Sequence, residues 1–361
     1  MRVAAYQPAH LPSSSARDGD VESIRFSAMF EMAPIEWLQG FTSPAFSWLM
    51  RAVSSLGYTP AYALLMLVLG FGIKLRPAMG VLLALLLNGI VTFGLKDSIA
   101  FPRPEHVQQL RDASPDSAEV FDAEGFWSLP SAQTMEAVRA TPDISFGFPS
   151  GHVSAAMAFC LAVAIFFRWR AFVVIAAIWP LVMSLSRMYL GRHFVADVVA
   201  GLAVGAVSTL AAVAVLRWVD GVDAPSEAKR RVSIFGGALL ALAVAGALVP
   251  ALDAETVGGL VGFGILYAAL TLTGYPVEAV GIRPRVGRFL TAALIYVTLQ
   301  QASGWLLEAL TWEDYPIPEL VRAALVVGGT FLGAVAVASR WQWYLRPATR
   351  SGWQEGRMVR G

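Results

Sequence analysis

Apolar residues run along this chain in long blocks separated by short polar stretches. YALLMLVLGFGI (62–73), VLLALLLNGIVTFGL (81–95), IFGGALLALAVAGALV (234–249) and LVVGGTFLGAVAVA (325–338) are clear examples. A bilayer core is crossed by about 20 apolar residues in a helix, so the pattern predicts membrane spans rather than core helices of a soluble domain. Nine spans are expected, at 58–74, 78–96, 150–168, 171–187, 197–217, 232–252, 256–275, 289–310 and 318–338. The fold class that follows is all-α, a polytopic membrane helix bundle, with no strand signal and no repeat of the inverted-repeat transporter kind. Ahead of the spans, IEWLQGFTSPAFSWLMRAVSSLG (35–57) is amphipathic, is broken by Ser43-Pro44 and carries Trp37 and Trp48. It predicts an N-terminal helix lying in the interface, with both Trp at headgroup depth.

Composition agrees with that pattern: 56% of the 361 residues are hydrophobic and only 15% are charged. The single cysteine, Cys160, lies inside an apolar run, which excludes a disulfide framework and a Cys-based metal site. With 27 basic against 26 acidic residues, no nucleic acid is expected as a partner. The first 20 residues lack the apolar core of a cleavable signal peptide, so insertion is expected to be directed by the spans themselves.

Cations fix the expected orientation. Lys74 and Arg76, Arg168 and Arg170, Arg217 with Lys229 to Arg231, Arg283 to Arg288, and Arg340, Arg346 and Arg350 fall in alternate connections, which assigns those to the cytoplasm. Opposite them lie Asp253 with Glu255, Glu313 with Asp314, and the long segment 97–149. An odd span count then puts the N-terminus outside. The expected location is the bacterial inner membrane, with the chemistry facing the periplasm.

Polar groups at membrane depth are costly and tend to mark function. Three clusters stand out: KDSIAFPRP, in which Lys96 ends a span and Arg103-Pro104 follow; PSGH, Pro149 to His152, which opens the next; and SRMYLGRHFVAD, with Ser186, Arg187, His193 and Asp197. All three are expected on the same face. A lone Lys96 or Arg187 would read as a snorkelling residue at a span end, but their joint register with two histidines argues otherwise.

Lys96, Arg103 and Arg187 would converge on an anion with several oxygens, and guanidinium forks match phosphate. Ser150 and Gly151 open a helix, so free backbone N–H groups and the positive dipole end point at the same anion. Ser150 can cap that helix or donate to the phosphate. His193 and Asp197 are one helical turn apart, so the carboxylate can orient the ring and leave the other nitrogen free to attack. His152 can then protonate the leaving oxygen. The expected catalytic set is therefore His193, His152 and Asp197. Lys96, Arg103, Ser150, Gly151 and Arg187 are expected to bind phosphate, with no metal or cofactor. Arg192 could reach the substrate or anchor at the interface, and His106 reads as a surface residue.

Together, K-x6-RP, PSGH and SR-x5-H-x3-D resemble the tripartite signature of the type 2 phosphatidic acid phosphatase superfamily. That superfamily includes lipid phosphate phosphatases, undecaprenyl-diphosphate phosphatases, glucose-6-phosphatase and vanadium haloperoxidases. The resemblance covers roughly residues 35–217, fills every signature position, and implies the same roles for the same residues. It implies a metal-independent phosphatase acting on an amphiphilic phosphate ester through a phosphohistidine. Lipid monophosphates rank first as substrate, undecaprenyl diphosphate second and sugar phosphates third. A lipid transporter or scaffold with a phosphate-binding site is the alternative of another class. The expected organisation is a tail (1–34), a phosphatase core (35–217) and a C-terminal four-span module (218–361). Three roles stay open for the module: supporting the core, forming a homodimer surface, or walling a lipid entrance. A phosphorylated lipid and membrane lipids are the expected partners.

Overall fold

The computed structural model describes residues 30–106, 136, 139–140, 145–221, 225–248, 252–312 and 315–345. Most of the expected tail and of the 97–149 segment lies outside them, as do Glu313, Asp314, Arg346 and Arg350. The described chain is almost wholly helical. Two short helices, α1 (Ala33–Gln39) and α2 (Pro44–Ser55), occupy the stretch expected to be interfacial. Ser43 separates them because its side chain accepts from Phe46 N and caps α2, with Pro44 pre-set for the first helical position. Trp37 and Trp48 are exposed on them.

α3 (Thr59–Leu67) runs into a π-helical stretch, Val68–Ile73, and is followed by α4 (Leu75–Ile99). Then come α5 (Gly151–Phe166), α6 (Arg170–Tyr189) and α7 (Val195–Asp220). Beyond residue 217 lie α8 (Pro225–Leu248), α9 (Ala254–Thr273), α10 (Ile282–Leu310) and α11 (Pro316–Ala324). A second π-helical stretch, Leu325–Gly329, joins α11 to α12 (Thr330–Arg340). One two-residue antiparallel ladder pairs Val277–Glu278 with Tyr344–Leu345, a strand element too short for sequence alternation to reveal.

Among the described residues, six helices are long and apolar enough to cross a membrane, or seven if α2 and α3 with its π stretch, bent by 59°, count as one span. The expected nine are therefore not all reached by length and composition. The stretch 150–168 falls on α5, which has 16 residues, about 24 Å of helix against a core of about 30 Å. The stretch 289–310 falls on α10, which is diluted by Thr291, Thr298, Gln300, Gln301, Ser303 and Glu308. α5 is the hub of this half of the bundle: α4, α6 and α7 all pack against it.

Close backbone approach holds that hub together. A Cβ at Gly205 of α7 would lie 2.3 Å from the Ser154 carbonyl oxygen and 2.8 Å from Met157 Cβ. At Gly201 it would lie 2.7 Å from the Ser150 carbonyl oxygen. Lipid offers no hydrophobic drive for helix association, so such small-residue contacts carry the packing. At the opposite end of the bundle the fully buried Arg288 donates to the carbonyls of Phe71 and Trp343, both at 2.9 Å, and stacks on Tyr344. Expected from sequence as a loop cation, it instead ties α10 to the π stretch after α3. Glu278 accepts from Leu75 N at 3.1 Å and so caps α4. Buried side chains on both sides of residue 217 share one apolar cluster, including Phe71, Leu83, Phe159, Phe263, Tyr267 and Phe331.

Replacing Gly205 by Leu forces α5 and α7 apart and should destabilise the protein by about 1–3 kcal/mol. Thermal unfolding in detergent measures it, and an unchanged midpoint would contradict this account of the hub.

Candidate active site

The three sequence clusters meet at one end of the bundle, where α4 and α6 finish and α5 and α7 begin. α4 ends at Ala100, which adopts a left-handed conformation (φ 54°) and donates its N–H to the Lys96 carbonyl at 2.8 Å. That turn brings Arg103 back beside Lys96. Lys96 Nζ and Arg103 Nε both donate to the Phe146 carbonyl, at 2.8 and 3.3 Å. Arg103 also pairs with Glu105 at 3.5 Å, and Glu105 in turn holds Arg192 at 2.6 Å. Arg192 is thus half-exposed and engaged in an ion pair. His106 Nδ1 accepts from Arg103 N at 3.2 Å, which makes it a partly buried turn residue.

Ser150 is the N-cap of α5. Its backbone N–H donates to the Asp197 carbonyl at 2.9 Å, tying the start of α5 to the start of α7. His193 sits in the loop before α7, and its Nδ1 lies 3.2 Å from Asp197 Oδ2. The same carboxylate oxygen accepts from Phe194 N at 2.9 Å, so Asp197 caps its own helix while orienting the ring. Both members of the pair are almost completely buried. With Nδ1 engaged, Nε2 is the nitrogen left for chemistry.

Arg187, at the end of α6, is buried and donates to Ser54 Oγ at 2.6 Å, with the Tyr58 hydroxyl also in reach. The ring of Tyr58 meets the ring of His152 edge-on at 4.6 Å, and a Cβ at Gly57 would strike His152 Cδ2 at 2.3 Å. Ser54, Gly57 and Tyr58 therefore set the positions of two site residues. Sequence reasoning missed them, because contacts across about a hundred residues leave no local spacing. Ser186 does not face the site: it donates to the Met50 carbonyl at 2.6 Å and fastens α2 to α6. Beneath the site, Asn88 and Thr92 of α4 contact Ser154 Oγ of α5 at 3.2 and 3.1 Å and fix the register of those helices.

Four buried polar atoms here have no partner among the described residues: Ser150 Oγ, His152 Nε2, Arg187 Nε and Asp197 Oδ1. Three are able to donate and lie beside three cations, a donor set suited to phosphate oxygens. A cavity of 630 Å³ is lined by Lys96, Arg103, Gly151, His152, Arg187 and His193.

Burial, and then the charges of Lys96, Arg187 and Arg103, hold His193 well below the usual imidazole pKa. A depressed pKa keeps the ring neutral as pH falls through the ordinary range near about 6.5. In NMR of histidine-labelled protein without phosphate, His193 should show no protonation between pH 8 and 5. Titration near the free imidazole value would contradict the burial and cation arrangement.

Residues 77–220 match the family model described as the PAP2 superfamily. The chain is 26% identical over 183 residues to the lipid A 4'-phosphatase of Bacteroides thetaiotaomicron, covering 50% of this chain and 75% of that protein. It is 43% identical over 60 residues to the lipid A 1-phosphatase of Rhizobium johnstonii, covering 16% of this chain and 23% of that one. No solved structure matches it. The stretch that resembles the PAP2 superfamily model contains Lys96, Arg103, Ser150 to His152, Arg187, His193 and Asp197.

Proposed function

We propose that this protein is an integral-membrane phosphatase that releases phosphate from a phosphorylated lipid. The observation that carries the reading is the buried His193–Asp197 pair lining the same cavity as Lys96, Arg103 and Arg187. Binding alone would need the cations but no oriented imidazole. Both relatives are named for lipid A, so a phosphate ester of that lipid joins phosphatidate and sphingoid phosphates at the head of the substrates to assay.

In the proposed reaction, His193 Nε2 attacks phosphorus and the ester P–O bond breaks. Lys96, Arg103, Arg187 and the backbone N–H groups at the start of α5 stabilise the equatorial oxygens. His152 gives its proton to the departing alkoxide, and the charge of the incoming phosphate favours that protonated state. Water then attacks the phosphohistidine, with His152 taking the water proton, and inorganic phosphate leaves. Asp197 holds the productive ring tautomer throughout.

His193→Ala should abolish phosphate release, and Asp197→Asn should lower it by about 10²–10⁴-fold. His152→Ala should impair hydrolysis of an alkyl phosphate far more than that of p-nitrophenyl phosphate, whose leaving group needs little protonation. Equal losses on the two substrates would remove His152 from the acid role.

The positive connections support a reading in which the site faces outside, and the exposed Trp37 and Trp48 support one in which α1 and α2 lie in the interface there. The background for a labelling test is low, since Cys160 is buried. A cysteine introduced in 105–145 should react with an impermeant thiol reagent added to intact cells, and one in 225–231 should not. The reverse pattern would move the chemistry to the cytoplasm.

A further inference from the structure

The cavity that holds the site extends well beyond it. Its 630 Å³ falls in the range of pockets that enclose one drug-sized ligand. Along its length the lining changes character. At one end stand Lys96, Arg103, Arg187 and the two histidines; further along the wall is apolar, made by Met66, Leu82, Leu86, Val326 and Phe331.

Much of that wall comes from beyond residue 217. Gly259 of α9, Tyr296 and Gln300 of α10, and Val326 and Phe331 face the same space as His193. Gly259 matters for width, because a Cβ there would lie 2.8 Å from Leu86 Cδ2 across the cavity wall. The π-helical stretch Leu325–Gly329 supplies Val326 and Val327 to the lining. Directly after it, Thr330 is buried, lines the cavity and leaves its hydroxyl unpartnered. In a regular helix that hydroxyl commonly bonds back to a carbonyl one turn earlier. Such π insertions recur where a helix is shaped around a ligand.

We propose that the apolar end of this cavity takes one acyl chain of the lipid whose phosphate is held at His193, and that residues 259–331 set which chains fit. The proposal rests on the phosphatase reading and adds the substrate's shape to it. A phosphorylated sugar could pair hydroxyls with Asn88, Tyr296 or Gln300 but has no apolar part to set against Met66, Leu86 and Phe331. An amphiphile matches both ends of the cavity at once, its phosphate among the cations and one chain along the apolar wall. Its remaining chains stay in the bilayer.

The test uses the full-length protein in detergent, with dihexanoyl, dioctanoyl and dipalmitoyl phosphatidate as substrates and kcat/KM as the readout. The parent should prefer the longer chains. In Val326→Trp, which fills the apolar end, the ratio of kcat/KM for dipalmitoyl over dihexanoyl substrate should fall about tenfold or more, the scale on which a hydrophobic pocket discriminates. In Phe331→Ala, which lengthens it, that ratio should rise. Phe331→Ala alone decides if Val326→Trp fails to fold. Phosphate release by the parent with a ratio that neither variant alters would overturn the chain-binding proposal and leave the phosphatase reading standing. No release from any of these lipids, nor from lipid A, would overturn both.

Discussion

Three cations, Lys96, Arg103 and Arg187, crowd one end of the bundle around a single buried carboxylate, and their mutual repulsion in a poorly hydrated cleft is the constraint the surrounding structure answers. The protein answers it mostly with neutral acceptors. Lys96 and Arg103 share the Phe146 carbonyl, and Arg187 rests on Ser54 and Tyr58. Glu105, an acid outside the pair, divides itself between Arg103 and Arg192. A second carboxylate inside the cleft would relieve the repulsion, but it would also compete with any anionic ligand. Left as it is, the cleft keeps a net positive field, and a bound phosphate completes its charge balance.

Such a field is useful only if the groups around it hold still. The Gly201 and Gly205 contacts bring α7 against α5 at backbone distance. Ser150 N donates to the Asp197 carbonyl and Asp197 holds His193, so the helix opening of α5 and the imidazole belong to one rigid chain of contacts. Asn88, Thr92 and Ser154 lock α4, and with it Lys96, to the same frame. Gly57 lets the α2–α3 elbow press on the His152 ring, which places the second histidine from outside the family stretch.

Residues whose partners are set by local spacing were legible in the sequence. His193 and Asp197 are four apart, PSGH stands at a helix mouth, and Lys96 and Arg103 bracket one turn; the structure brings all of them to one end of the bundle. What the sequence hid depends on tertiary contact. Ser54 and Tyr58 reach Arg187 from well over a hundred residues away, and Ser186, part of the same motif as Arg187, turns out to fasten α2. The full count of nine spans is not confirmed, since α5, with 16 residues, falls short of the length a lone span needs. Arg288 reads as a loop cation, since nothing local signals that two distant segments will bury it.

Polar groups of the C-terminal half also line the cavity, and the cation among them is already paired. Arg322 faces the same space as His193, but it pairs with Glu319 and lies 3.6 Å from Glu255. Glu255 and Asp253 add negative charge on that side. With its charge balanced by acids, Arg322 offers an anion less than Lys96, Arg103 and Arg187 do. On the proposed reading the phosphate would therefore sit at His193, leaving Gln300, Tyr296, Val326 and Phe331 to contact the uncharged part of the lipid.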